Sequence, residues 1–191
     1  EKERQEHRGL KDIAKIIRAG GLSQEVQNRS IQIFESIAQE EGKIHNCPPD
    51  EVHFHEVGAV DSIMDIVGSV FGIEYLGIAS ILVSSLPLGS GFAETQHGRI
   101  PVPAPATVAL LKGIPVYDSG LEHELVTPTG AALVRGLATS FGSMPSMTID
   151  GVGYGVGSRT LPDRPNLLRL IIGHDQTEKQ VETVVTLEAN L

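Results

Sequence analysis

Apolar positions recur with a helical period through the first third of the chain. Leu10, Ile13, Ile16 and Ile17 mark a first helix, which Gly20-Gly21 ends. Ser23 is placed to cap a second helix, in which Val26, Ser30, Ile33 and Ile37 form one stripe beside Phe34 and Ala38. Pro48 and Pro49 cannot sit inside a helix and break the pattern. Asp50 to Val57 is too short and mixed to assign. Helical spacing returns from Asp61 to Leu76, with Ile63, Ile66, Val67, Val70 and Phe71 on one face.

Past residue 80 the pattern shortens. Ile81-Leu82-Val83 reads as a buried strand, Leu88 to Pro105 as a long Gly/Pro-rich loop, and Thr107 to Lys112 as a short helix closed by Gly113. Leu125-Val126 reads as a short strand, and Thr127-Pro128-Thr129-Gly130 opens a helix running through Ala138. Met147 to Val156, Asn166 to Ile172 and Val181 to Leu187 read as strands. The polar stretch from Gly173 to Gln180 reads as a boundary.

The expected class is therefore α/β (α+β), a helical N-terminal part followed by a mixed α/β domain. The expected division is a mainly helical part over 1–80, an α/β part over 81–173, and over 174–191 a linker with the first strand of a truncated further domain. The chain opens without Met, and its last strand is followed by no turn; we expect an internal fragment.

Composition narrows the function classes. With 191 residues, 40% of them apolar, the chain can bury a core and does not have the composition of a disordered segment. A formal net charge of -9 argues against binding nucleic acid, and the absence of Trp argues against stacking on single strands. No apolar run approaches a bilayer span, and Glu1 to Arg8 is almost wholly polar or charged, unlike a signal peptide. A cytoplasmic protein without a membrane partner is expected. The single cysteine, Cys47, excludes an internal disulfide and a Cys-rich zinc site, so a metal here would be held by His, Asp and Glu.

The stretch from His53 to Asp65 is the richest in such groups. If residues 51–57 are extended, His53 and His55 share a face and can chelate a metal; if they are helical, the pair fails. Asp61 and Asp65 lie on one face of the following helix, continued by Gly68 and Gly72, so a ligand or another helix is expected to approach that backbone closely. In the alternative reading the histidines are hydrogen-bonded in a half-buried strand, Asp61 is a cap and Asp65 a solvated acid favoured by the helix dipole. Candidate metal ligands are His53, His55 and Asp61, with Glu56 and Asp65 as catalytic carboxylates.

Thr127-Pro128-Thr129-Gly130 is a second candidate, because a helix N-terminus offers amides and a dipole to an anion; ordinary capping explains it too. His97-Gly98-Arg99 would suit a phosphate or carboxylate, or simply a surface loop. His123 stands between Glu122 and Glu124. Gly151, Gly153, Gly155 and Gly157 alternate without matching a dinucleotide fingerprint, and read as a strand packed against backbone or ligand.

Five segments, taken in order, resemble the LarC family of nickel insertion proteins. They are His-Phe-His-Glu-Val-Gly-Ala-Val-Asp-Ser-Ile at 53–63 with Asp65, Pro-Val-Pro-Ala-Pro-Ala-Thr at 101–107, Glu-Leu-Val-Thr-Pro-Thr-Gly-Ala-Ala at 124–132, Gly153-Tyr154-Gly155, and Pro-Asn-Leu-Leu-Arg at 165–169. The resemblance implies insertion of nickel into pyridinium-3,5-bisthiocarboxylic acid mononucleotide, forming nickel–sulfur and nickel–carbon bonds in the nickel-pincer cofactor of lactate racemase. It also implies CTP with Mg or Mn. The family's opening segment is absent here, and its C-terminal domain, expected to start near Val181 and to hold CTP, stops at Leu191; the fragment alone is expected to be inactive.

On this reading Thr127, Thr129 and Gly130 hold the substrate's phosphate, with Arg99 or Arg159 countering its charge. Expected partners are that nucleotide-like substrate, other lactate racemase maturation proteins and further copies of the chain. Two other classes remain open: an assembly module in which the His/acid segment is structural, and a metal-dependent hydrolase with Glu56 as base.

Overall fold

The computed structural model describes residues 8–54, 60–95, 98–174 and 183–189. Its helices are α1 (Leu10–Ala19), α2 (Gln24–His45), α3 (Val60–Tyr75), α4 (Pro105–Leu110) and α5 (Pro128–Leu137). Among the described residues no helix is long and apolar enough to cross a membrane.

The longest helix, α2, organises the helical layer. Ser23 caps it, its Oγ accepting from the Val26 amide at 3.1 Å. Its far end closes on Asn46 in the left-handed conformation, ahead of Pro48 and Pro49. The stripe expected from spacing is the buried one: Val26, Ser30, Ile33, Phe34, Ile37 and Ala38 are all shielded from solvent. Helices α1, α3, α4 and α5 each pack on α2.

The strands are β1 (Arg8–Gly9), β2 (His53–Phe54), β3 (Ser80–Val83), β4 (Leu86–Leu88), β5 (Phe92–Thr95), β6 (Gly98–Pro101), β7 (Val116–Asp118), β8 (Ser140–Phe141), β9 (Thr148–Val156), β10 (Leu167–His174) and β11 (Thr183–Ala189). Five of them form a mixed sheet in the order β8-β3-β11-β10-β9. β8 and β11 run parallel to β3, while β10 runs antiparallel to both β11 and β9. Small two-stranded pairings join β1 to β2, β4 to β7 and β5 to β6. The class is α/β, as the pattern predicts.

β11 lies inside the sheet, with Val184 opposite Ser80 on one side and Gly173 on the other. One continuous core runs from Ile13 to Val185. Three local expectations change. Leu125-Val126 is not a strand. Leu88 to Pro105 is not all loop, because β5 and β6 form a hairpin within it. The helix expected at Thr107 to Lys112 starts two residues earlier, with Pro105 in its first turn, where a missing amide costs nothing.

Candidate functional site

Between α3, α5 and one face of the five-stranded sheet lies a cleft of about 500 Å³. The sheet contributes Val83 from β3, Val185 from β11, Leu170 from β10 and Gly155 from β9. Strand alternation puts Leu168 and Leu170, together with their cross-strand partners Gly155 and Gly153, on the same side. α5 adds Gly130, Leu133 and Leu137, and α3 adds Gly68 and Gly72. The lining is mostly apolar. Its polar side chains are already engaged: Ser69 Oγ donates to the Asp65 carbonyl at 2.6 Å, Thr127 Oγ1 accepts from the Gly130 amide at 3.1 Å, and Asn166 Nδ2 donates to the Arg159 carbonyl at 3.2 Å.

The two richest sequence candidates reach this cleft from different directions. Thr127 and Gly130 line it directly, at the amide end of α5, with Pro128 in the first turn. Thr129 is half-buried beside them and is not among the lining residues. The face of α3 that carries Asp61 and Asp65 continues through Gly68 and Gly72 into the lining. Both aspartates are exposed. Asp61 lies within the first turn of α3, where a carboxylate meets the positive end of the helix dipole.

The other candidates are distributed differently. The backbone of His53 pairs with Gly9, and the neighbouring Phe54 is buried against α2. His55, Glu56 and His97 lie outside the described residues. Arg99 stands on β6 opposite Glu94, its guanidinium 4.4 Å from the centre of the Phe92 ring, and is not part of the cleft lining. The backbone of Arg159 lies one hydrogen bond from the lining, through Asn166. His123 is exposed, and Cys47 is half-buried where the chain leaves α2. Among the described residues no group of three or more His, Cys, Asp or Glu is arranged to hold a metal.

Sequence spacing missed further contributors. Leu125 and Val126 line the cleft, although their apolar run reads as a strand. Ser69 carries no motif that would single it out, and Asn166 stands in the Pro-Asn-Leu-Leu-Arg segment without a role read from the sequence. At the far end of β10, His174 Nδ1 and Asp150 Oδ2 are 2.9 Å apart, next to a register shift in the β9–β10 ladder; the shift is the signal that re-aims Asp150, and no sequence pattern shows it.

A mixed-sheet α/β protein with a ligand-sized cleft beside an acid-bearing helix is the class this geometry defines. The chain belongs to the nickel insertion protein family, whose model matches residues 1–191. It is 52% identical over 187 residues to a relative from Geotalea daltonii, covering 98% of this chain and 48% of the relative. It is 51% identical over 171 residues to one from Syntrophobacter fumaroxidans (90% and 44%), and 48% identical over 185 residues to one from Dictyoglomus thermophilum (97% and 48%). All three carry the name "Putative nickel insertion protein". The chain spans about half the length of these relatives. No solved structure matches it.

Proposed function

We propose that this chain is part of an enzyme that inserts nickel into pyridinium-3,5-bisthiocarboxylic acid mononucleotide, giving the nickel-pincer cofactor of lactate racemase. The observation that carries the reading is the convergence of the acid-bearing face of α3 and the capped start of α5 on one ligand-sized cleft, in a member of the nickel insertion family. His53, His55 and Asp61 supply imidazole and carboxylate, a donor set that suits nickel. Forming a nickel–carbon bond releases the proton of a ring C–H, and Glu56 or Asp65 offers a carboxylate to accept it. Thr127, Thr129 and Gly130 hold the phosphate at the positive end of α5, with Arg99 or Arg159 countering its charge. CTP, with Mg or Mn, is the co-substrate in this reading, and none of the described residues is assigned to it. The reaction would run in the cytoplasm alongside the other maturation proteins of lactate racemase.

A second reading, an assembly module, is favoured by β9. This edge strand turns Ile149, Val152, Tyr154 and Val156 outward, each at least half exposed, as an interface for another copy or a maturation partner would be.

The double variant His55→Ala/Asp61→Asn separates the two. If these residues are nickel ligands, nickel affinity falls at least about ten-fold, because even changes behind the ligands cost that much, and metal-free stability barely moves. If they are structural, the pattern reverses: metal-free stability drops by about 1–3 kcal/mol and the nickel-induced rise in Tm is unchanged. Thermal unfolding with and without nickel reads both, and the second outcome ends the metal-site reading.

A further inference from the structure

Helix α3 carries two apolar faces, and the chain buries one of them. Ile63, Ile66 and Val70 lie in the core. Val60, Met64, Phe71 and Tyr75 form a second stripe, with the half-buried Val67 between them, at successive spacings of four, three, four and four residues. That spacing keeps to one face of a helix and is the repeat by which two helices pack along a seam. The four large side chains are between 46% and 78% exposed. The Phe71 and Tyr75 rings stack on each other with centroids 5.9 Å apart, making one broad apolar surface. Together the four expose on the order of 500 Å², the size at which a contiguous patch marks an interaction site.

Charge and symmetry select the occupant. α3 contains Asp61, Asp65 and Glu74 and neither Lys nor Arg. A helix that lies on anionic lipid has a basic polar face, so a membrane is the wrong cover. The stripe is instead complementary to itself. When two copies of α3 cross antiparallel about a two-fold axis beside Val67, Val60 meets Tyr75 of the second copy and Met64 meets its Phe71. Each contact joins a ring to an aliphatic or thioether side chain, and sulfur against an aromatic edge is favourable. Like flanks face each other in such a pair, so Asp61 lies level with the Tyr75 hydroxyl of the second copy. Glu74 is on the opposite flank, accepts from the Ser23 hydroxyl at 2.7 Å, and stays clear of Asp61. Two stripes together bury about 1,000 Å², the least that a specific interface needs.

We propose that α3 is a self-association surface, which pairs antiparallel with α3 of a second copy of the chain through Val60, Met64, Val67, Phe71 and Tyr75. The two-fold axis puts the acid-bearing faces of both copies, with Asp61 and Asp65, along the same side of the dimer. The pairing is independent of the nickel reading and uses a surface other than β9.

The test is disulfide cross-linking of the intact protein, with Cys47→Ala as background so that each added thiol is the only one in this chain. Val67→Cys lies beside the axis and should link to its own copy under mild oxidation, because facing positions on helices about 8–10 Å apart come within disulfide reach. Tyr75→Cys should not link to itself, since antiparallel copies hold the two about 22 Å apart along the helix axis. It should link to Val60→Cys when the two variants are mixed. Adding Met64→Glu/Phe71→Glu to Val67→Cys should slow cross-linking at least ten-fold while Tm changes little, both positions being exposed. Absence of the Val67→Cys dimer overturns the pairing and leaves the stripe to another occupant, such as a basic helix of a different protein. Self-linking of Tyr75→Cys as fast as that of Val67→Cys overturns the antiparallel arrangement, and cross-linking unmoved by the two charges overturns the seam. If the charged variant unfolds, the mixed Val60→Cys and Tyr75→Cys pair decides alone: linking supports the pairing, and failure to link ends it.

Discussion

Phe54 meets Phe34 edge to face, with ring centroids 6.1 Å apart and ring planes inclined at 70°. Both rings are buried, at 4% and 0% exposure, and the contact ties the start of the His/acid segment to the middle of α2. Phe54→Ala should cost about 3–5 kcal/mol, the range for emptying a buried aromatic site, and Phe54→Leu much less. If the segment holds nickel, the alanine variant should also lower nickel affinity under conditions where it remains folded. Urea unfolding together with nickel titration checks both expectations.

Thr127 both caps α5 and borders the cleft, so its two roles can be separated. Thr127→Ala should lower stability by about 1 kcal/mol through loss of the bond to the Gly130 amide, and Thr127→Ser should restore it. If the phosphate docks at this turn, Thr127→Ala should weaken a pyridinium nucleotide more than the corresponding nucleoside. Equal loss for both probes would remove Thr127 from phosphate recognition.

Gly89 follows β4 and faces the backbone of the loop that leads into the cleft. A Cβ there would collide with the His123 carbonyl, a group of main chain that cannot swing aside. Gly89→Ala should therefore destabilise the fold by about 3 kcal/mol, at the upper end of ordinary overpacking. It should also free the segment running to Leu125 and Val126, which hydrogen exchange of the amides over 119–126 would show as faster exchange than in the unmodified protein.

Asp163 and Arg164 give the chain a defined acid response. The Arg164 guanidinium hydrogen-bonds the Asp163 carboxylate at 2.7 Å and holds its pKa below the ordinary value, against an opposing effect of desolvation. A depressed folded-state pKa means that any stability from this pair is present above the unfolded value, near about 3.9, and is lost as pH falls through the folded value. The pair is solvent-accessible, so that stability is slight. Arg164→Ala should move the Asp163 titration, followed by NMR, back up toward the ordinary value while leaving the Tm at neutral pH nearly unchanged.

Local pattern made the helices legible and left the sheet partners hidden. α2 declares itself because its cap and its buried stripe are both local, and α3 was expected at Asp61 to Leu76 and lies at Val60–Tyr75. The β5–β6 hairpin is not legible in the pattern because its strands are four residues each and largely solvent-facing, and β6 begins at Gly98 and ends at Pro101. Leu125 and Val126 have the composition of a strand, but their apolar side chains serve the cleft lining instead. For the site, Thr127 was legible as a cap, and the glycines of α3 and β9 were visible as unusual. Nothing local could reveal that they border one cavity, because Gly72, Thr127 and Gly155 are brought together only by the tertiary fold.

The position of β11 bears on how the molecule is made. Its ladder with β3 joins Ser80 to Val184, so the strand synthesised last among the five is the one that stands at the centre of the sheet. Until it leaves the ribosome, β3 with β8 and β9 with β10 are two separate pairs, each with a bare edge where β11 belongs. The helical layer around α2 has no such dependence and can consolidate during translation. Maturation of this fold therefore ends with the insertion of one strand between two waiting edges, a late, long-range step of the kind that slows folding and leaves nascent chains exposed to mispairing.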